Sequence, residues 1–245
     1  MKYLVFQLYG PLASWGVPAT GEVRRSATYP GRSALLGLIA AALGIPRQDE
    51  STLASLGRAV RFGVKQLSPG ALLQDYHTAQ VPGHDRKAFR LTRGDELAAP
   101  RERLNTIIST REYRCDGYWK VAVPEIEESD WDLVTLKKAL EFPRFPLSLG
   151  RKACPPAAPL APQIVEASGF REALDTPFPE LTGYESTLEE RSLLGIAHEV
   201  IYSWEGDGGD IKPQETRQPY DDPIHRGRWQ FASRLEYWHQ SKEEG

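Results

Sequence analysis

Alternating and helical stretches of apolar residues divide the first two thirds of the chain. From Tyr3 to Tyr9, Leu4, Phe6 and Leu8 fall on one side and Tyr3, Val5 and Gln7 on the other, which predicts a strand. Arg32 to Leu43 places Leu35, Leu38, Ile39 and Ala42 on one helical face, with Gly44 as its stop. Ser51 is a candidate cap for a shorter helix bearing Leu53 and Leu56. Val60 to Lys65 alternates again, with Val60, Phe62 and Val64 inward and Arg61 and Lys65 outward. Leu72 to Thr78 is strand-like. Thr106–Cys115 and Tyr118–Val123 flank Asp116-Gly117, which predicts a hairpin across that dipeptide. Ser129, with Asp132 three residues on, predicts a helix to Leu140 that buries Leu133, Leu136 and Leu140.

This order is strand, helix, strand, an aperiodic excursion, strand, helix. Without the excursion it begins a ferredoxin-like βαββαβ unit whose last strand is expected near Pro146–Leu149. Helices would cover one face of the antiparallel sheet and leave the other open to a ligand or partner. The expected fold class is α+β: a palm over residues 1–150, a basic thumb inserted at about 79–114, and a β-rich extension over 151–245 packed on the palm. In that extension, Ile196–Trp204 and Trp229–Trp238 are expected to pair across a Gly/Asp-rich loop.

Charge sharpens the picture. The net charge of −3 divides unevenly: residues 1–125 carry 17 Lys/Arg against 11 Asp/Glu, and residues 126–245 carry 13 against 22. A molecule polarised in this way can hold a phosphate backbone at its basic end and meet protein at its acidic end. Two cysteines, Cys115 and Cys154, rule out a disulfide framework and a four-cysteine zinc site. The five histidines lack the i,i+4 pairing of a helical zinc site, and no phosphate-binding P-loop is present, so no metal or cofactor is expected. The apolar run at the N-terminus is cut short by Gly10-Pro11, and Ala34–Leu43 is too short to span a bilayer; a cytoplasmic protein with no membrane partner is expected.

The candidate chemistry is cationic and aromatic. Arg24, Arg25 and Arg32 cluster around the first helix, whose N-terminus, with Ser33, is suited to a phosphate. Trp15 and Gly16 follow the first strand, Arg111, Tyr113 and Arg114 lie near the return of the excursion, and Gly150-Arg151-Lys152 follows the last predicted helix. Such residues suit single-stranded RNA, cations holding phosphates while aromatics stack bases. Arg32 is the expected principal anchor; were it instead paired with a carboxylate such as Glu22, Arg111 or Arg151 would take that role. His77, in Asp75-Tyr76-His77-Thr78, is either a proton carrier for metal-free RNA cleavage or a group that stacks or hydrogen-bonds.

Several of these segments resemble the CasD family of type I-E CRISPR Cascade subunits. They are Gly10-Pro11-Leu12-Ala13-Ser14-Trp15-Gly16, Tyr29-Pro30-Gly31-Arg32-Ser33-Ala34-Leu35-Leu36-Gly37-Leu38, Asp75-Tyr76-His77-Thr78, Arg111-Glu112-Tyr113-Arg114-Cys115-Asp116, Leu149-Gly150-Arg151-Lys152-Ala153-Cys154-Pro155 and Gln230-Phe231-Ala232-Ser233-Arg234. The resemblance implies an RNA-binding subunit that caps the 5′ handle of the CRISPR RNA and contacts the CasC backbone, the large CasA subunit and other Cascade subunits. It turns the basic excursion into a thumb whose Arg86, Lys87, Arg90 and Arg93 face RNA or a partner. The RNA-binding set is then Trp15, Gly16, Arg24, Arg25, Arg32, Ser33, His77, Arg111, Arg151 and Lys152. In such systems the dedicated nuclease CasE cuts the repeat, and CasD binds without cutting. Type I-C relatives do cleave RNA with Tyr, Lys and His; Tyr76, His77 and Lys65 are present here, without the adjacent Lys-His pair. The alternatives are a metal-independent endoribonuclease and a scaffold that touches only protein.

Overall fold

In a computed structural model the described residues are 1–19, 21–84, 89–126, 130–179, 181, 192, 194–196, 199–225 and 227–242. The chain order is β1 (Lys2–Gly10), β2 (Val23–Arg24), α1 (Arg32–Leu43), α2 (Glu50–Ala59), β3 (Gly63–Ser68) and β4 (Ala71–Pro82). There follow α3 (Arg93–Leu97), β5 (Leu104–Cys115), β6 (Gly117–Pro124), α4 (Leu133–Glu141), β7 (Gln163–Glu166) and α5 (Phe170–Asp175). The chain continues through β8 (Glu199–Trp204), β9 (Glu215–Arg217), β10 (Asp222–His225), β11 (Gln230–Ala232) and β12 (Glu236–Lys242). The fold is α+β.

A seven-stranded sheet runs β7-β1-β6-β3-β8-β12-β9. α1 packs one face of β1, β6 and β3 with α4, around Leu4, Phe6, Leu35, Ile39, Trp119, Val121 and Leu136. Gly44 ends α1 in the left-handed region (φ 76°), a conformation that costs a residue with a Cβ but not glycine. Asp49 and Asp132 cap α2 and α4, each accepting from the backbone N–H three residues on, so the caps expected at Ser51 and Ser129 are not the ones used: Ser51 lies within α2, and Ser129 lies outside the described residues.

Four expectations are corrected. First, β5 and β6 do not form a hairpin. Asp116 takes φ 56°, and the chain there passes from one sheet to another: β6 pairs with β1 and β3, while β5 pairs with β4 over twelve residues, from Ala71↔Cys115 to Pro82↔Leu104. The excursion is therefore strand-built, and it starts at Ala71 instead of 79. Second, the strand expected near Pro146–Leu149 is not formed there, where the chain is irregular; the next strand after α4 is β7 at Gln163–Glu166, which pairs with β1. Third, the opposite sheet face is not open. Tyr3, Val5, Tyr118, Ala122, Phe170, Leu174, Tyr202 and Trp204 form a second core on it, and Lys65, expected to point outward, is buried there with Nζ 2.8 Å from Asp175. Fourth, the strands of the C-terminal part extend the large sheet edgewise, β7 at one edge and β8, β12 and β9 at the other, while α5 packs on its face. The paired segments are Glu199–Trp204 and Tyr237–Lys242, so Trp229 lies outside that pairing.

A buried charge cluster ties the C-terminal part to α1. Glu205 Oε2 lies 2.6 Å from Arg32 Nη1; Arg234 is bound to Asp221 (2.6 Å) and Glu236 (2.7 Å), and Tyr29 donates to Glu236 (2.7 Å). Burial pushes the Glu205 carboxyl up to about 7, against the pull of Arg32 and Arg234. Its folded pKa exceeds its unfolded value, so its stabilising contribution is complete below that unfolded value and is lost as pH rises through 7. Thermal melts should show stability declining by roughly 1 kcal/mol per pH unit between about pH 5 and 7. In Glu205→Gln this part of the slope should vanish; an unchanged slope would assign it to another group.

Candidate nucleic-acid interface

β2, β5 and β4 make a three-stranded sheet, with β4 at its edge. Register aligns Arg24 with Arg111 and Arg111 with Asp75, so the three share a row and a face. Period two adds Tyr113 beyond Arg111 and His77 beyond Asp75 to the same face. The guanidinium of Arg151 lies over the Tyr113 ring, 4.9 Å from its centroid, and Nη2 donates to the Arg24 carbonyl at 3.4 Å. Residues up to 127 positions apart in sequence thus meet at the foot of the hairpin.

The turn that carries Arg151 is fixed by backbone. Ser14 N–H donates to the Leu149 carbonyl (2.9 Å), Leu149 N–H to Cys154 (2.7 Å), and Cys154 N–H to Arg151 (2.9 Å). Gly150 sits at φ 89°, and a Cβ there would run into the Ser14 carbonyl. Arg114, three residues from Arg111 and next to Tyr113, is structural: it donates to the Ala27 and Ser26 carbonyls, and its backbone bridges Ala13. Gly16, bridged to Ser26, and Arg25 and Lys152 are exposed beside this foot.

Among the described residues, no carboxylate forms an ion pair with Arg24, Arg25, Arg111, Arg151 or Lys152. Arg151 Nη1 is buried and has no hydrogen-bond acceptor. A desolvated cationic donor without a partner is costly, and a phosphate oxygen is the acceptor its geometry best suits. The face can therefore hold phosphates in a row, with Tyr113 and His77 as flat surfaces beside them.

Two expected RNA contacts are overturned by burial. Trp15 is 2% exposed, its ring set edge-on to Trp119 with centroids 5.2 Å apart, so no base can reach it. Arg32 is 6% exposed, and its guanidinium is consumed by Glu205, Asp222 and the carbonyls of Val60 and Gly57. The α1 N-terminus is taken as well, since Arg32 N–H donates to Asp221 at 2.7 Å; Ser33, half-buried in that first turn, loses the phosphate site it was expected to share. The pairing with Glu22 is not the one formed. On the hairpin, Arg93 is engaged by Glu96 (2.6 Å) and the Gln80 carbonyl, Arg90 is half-buried, and Arg86 and Lys87 lie outside the described residues. His77 is exposed, with Nδ1 3.9 Å from Asp75. Tyr113, the aromatic that the sequence places between Arg111 and Arg114, is partly buried under the Arg151 guanidinium.

Comparison with known proteins decides the family. The profile described as "CRISPR-associated protein (Cas_Cas5)" matches residues 3–235. The chain belongs to this Cas5 family. A relative, "CRISPR system Cascade subunit CasD" of Escherichia coli (strain K12), is 34% identical over 182 residues, covering 71% of this chain and 75% of that protein. A solved structure titled "CRISPR RNA-guided surveillance complex" contains a chain superposing with a TM-score of 0.66 at 26% identity, over 98% of this chain and 90% of that one. A second, "Crystal structure of Cas protein", gives 0.56 at 26% identity, over 98% and 94%. In this Cas5 chain the segments quoted above divide by place in the fold: Arg32 and Arg234 sit in the buried charge cluster, and Arg111 and Arg151 lie on the basic face.

Proposed function

We propose that this Cas5 chain is the RNA-binding subunit of a type I-E Cascade surveillance complex, in which it holds the 5′ handle of the CRISPR RNA on the face of Arg24, Arg111 and Arg151. The carrying observation is the unpaired, buried Nη1 of Arg151 beside Arg24 and Arg111, neither of which forms an ion pair among the described residues, although Asp75 stands opposite Arg111 in the sheet. In this reading β7-β1-β6-β3 with α1 and α4 is a ferredoxin-like palm, the β4–β5 hairpin is the thumb, and the C-terminal part extends the palm sheet. The CasC backbone and the CasA large subunit are the protein partners, and the acidic C-terminal half is the surface suited to them. The protein works in the cytoplasm, where the complex meets its targets.

Replacing Arg24, Arg111 and Arg151 together by alanine should weaken RNA retention at least about tenfold at physiological salt. It should also lower the salt slope by about 2, from three lost phosphate contacts on a single strand. Full retention with an unchanged slope would move the RNA to another surface.

The reading is of a binder, not a nuclease. Lys65 is buried against Asp175 in the large sheet, and Tyr76 and His77 are neighbours on β4 and so face opposite ways; the three do not converge. His77→Ala should leave precursor processing unchanged in a complete system, assayed by gel on repeat RNA. Loss of cleavage with RNA binding intact would establish the metal-independent endoribonuclease instead.

A further inference from the structure

A cavity of about 450 Å³ opens between α2 and the β10–β11 hairpin, and it shares no residue with the basic face. Its volume is that of a small-ligand site. Several of its charges are already engaged within the protein: Glu50 by His225 (3.0 Å), Asp222 and one oxygen of Glu205 by Arg32. Two arginines and one carboxylate oxygen are less fully engaged. Arg58 and Arg61 are exposed lining residues in no ion pair among the described residues; Arg61 donates to the carbonyls of Arg58 and Val60, and its charge acts on Glu205 at longer range. Glu205 Oε1, at the inner end, accepts no hydrogen bond and lies 3.6 Å from Arg234 Nη1.

The walls between these ends are apolar. Leu53 and Leu56 come from α2, while Ile224 and Leu235, 69% and 53% exposed, line the opposite side. Exposed aliphatic side chains lining a concave site gain from a flat apolar body that covers them. The rim guanidiniums suit a phosphate, which they can hold through forked hydrogen bonds. The inner carboxylate oxygen suits an N–H donor on the far edge of the body, as carboxylates accept from the exocyclic amines of bases.

We infer that this cavity is a nucleotide-binding site, taking the phosphate at Arg58 and Arg61, the base between Leu53 and Ile224, and an amino group of the base at Glu205. The same chemistry is offered by a free nucleoside monophosphate and by one nucleotide of a single strand. Adenine, guanine and cytosine carry the amine, and uracil does not, so the site ranks UMP last.

The test is calorimetric titration of the full chain with AMP, GMP, CMP, UMP, inorganic phosphate and a short single-stranded ribo-oligonucleotide. Saturable binding of the amino-bearing monophosphates below about 1 mM, weaker for UMP and for phosphate, is the expected result for a free ligand. Binding of the oligonucleotide alone assigns the site to a strand, provided the rim variant abolishes it. Arg58→Ala with Arg61→Ala should lower affinity about tenfold with an unchanged melting curve, because both side chains are on the surface. Ile224→Glu, also on the surface, should do the same by replacing the apolar wall against the base with a charge that must be desolvated. The triple variant of Arg24, Arg111 and Arg151 should leave mononucleotide binding intact, which separates failure of this site from failure of the basic face. No binding by any nucleotide, equal binding of inorganic phosphate, or affinity unchanged in both rim variants overturns the proposal.

Discussion

Arg32→Ala should destabilise the protein by about 3–5 kcal/mol, the cost of stripping one partner from a buried ion pair. The guanidinium lies 2.6 Å from Glu205 and 2.8 Å from Asp222, and it also satisfies the carbonyls of Val60 and Gly57. Removing it leaves Glu205 with Arg234 as its nearest cation, at 3.6 Å, in a site where burial already disfavours its charge. Glu205 would answer by holding its proton to higher pH, so the loss should be smaller at pH 5 than at pH 8. Chemical denaturation at the two pH values measures both the size and the trend. An RNA-binding role without a structural one predicts the reverse pattern: a wild-type unfolding midpoint and a lost RNA footprint.

The second large effect is expected at Gly150. Its φ of 89° is a conformation that residues with a Cβ seldom adopt, and a Cβ would meet the Ser14 carbonyl. Gly150→Ala must therefore push the 149–154 turn away from the loop after β1, breaking the bond from Ser14 N–H to the Leu149 carbonyl. Backbone strain and the lost hydrogen bond together should cost about 2–4 kcal/mol. Arg151 rides on this turn, so whatever folded protein remains should also bind RNA less tightly than Arg151→Ala alone. Comparing the two variants by melting and by RNA retention separates the effects: Arg151→Ala should weaken retention with little change in melting, Gly150→Ala should change both. A Gly150→Ala protein with wild-type melting would show that the turn relaxes freely and that its geometry does not set the site.

How much was legible in the sequence follows from the range of the forces involved. β1, α1 and α4 lie close to where their periodicity and, for α1, its glycine stop put them, because both act within a few residues, although α4 is capped by Asp132 and not by the expected Ser129. The hairpin at Asp116-Gly117 failed for the opposite reason. That dipeptide is a strong local turn, and Asp116 does take a positive φ, but β6 finds deeper burial between β1 and β3, and β5 is left to β4. Lys65 failed likewise: alternation marked it as outward, and α5, about a hundred residues later, covers that face.

The site divides along the same line. The sequence by itself determined the family, through short segments such as Leu149-Gly150-Arg151-Lys152, and it determined that one half of the chain is basic and the other acidic. It could not say which arginines remain available to a ligand. Arg32 and Arg151 both sit next to a glycine at a turn, and nothing local distinguishes them. Only the tertiary structure decided it: Arg32 meets a carboxylate 173 residues away and is neutralised in the interior, while Arg151 meets an aromatic ring and a backbone carbonyl and keeps a nitrogen unpaired. A guanidinium's role is set by the acceptors that folding brings within about 3 Å of it, and those partners come from distant parts of the chain.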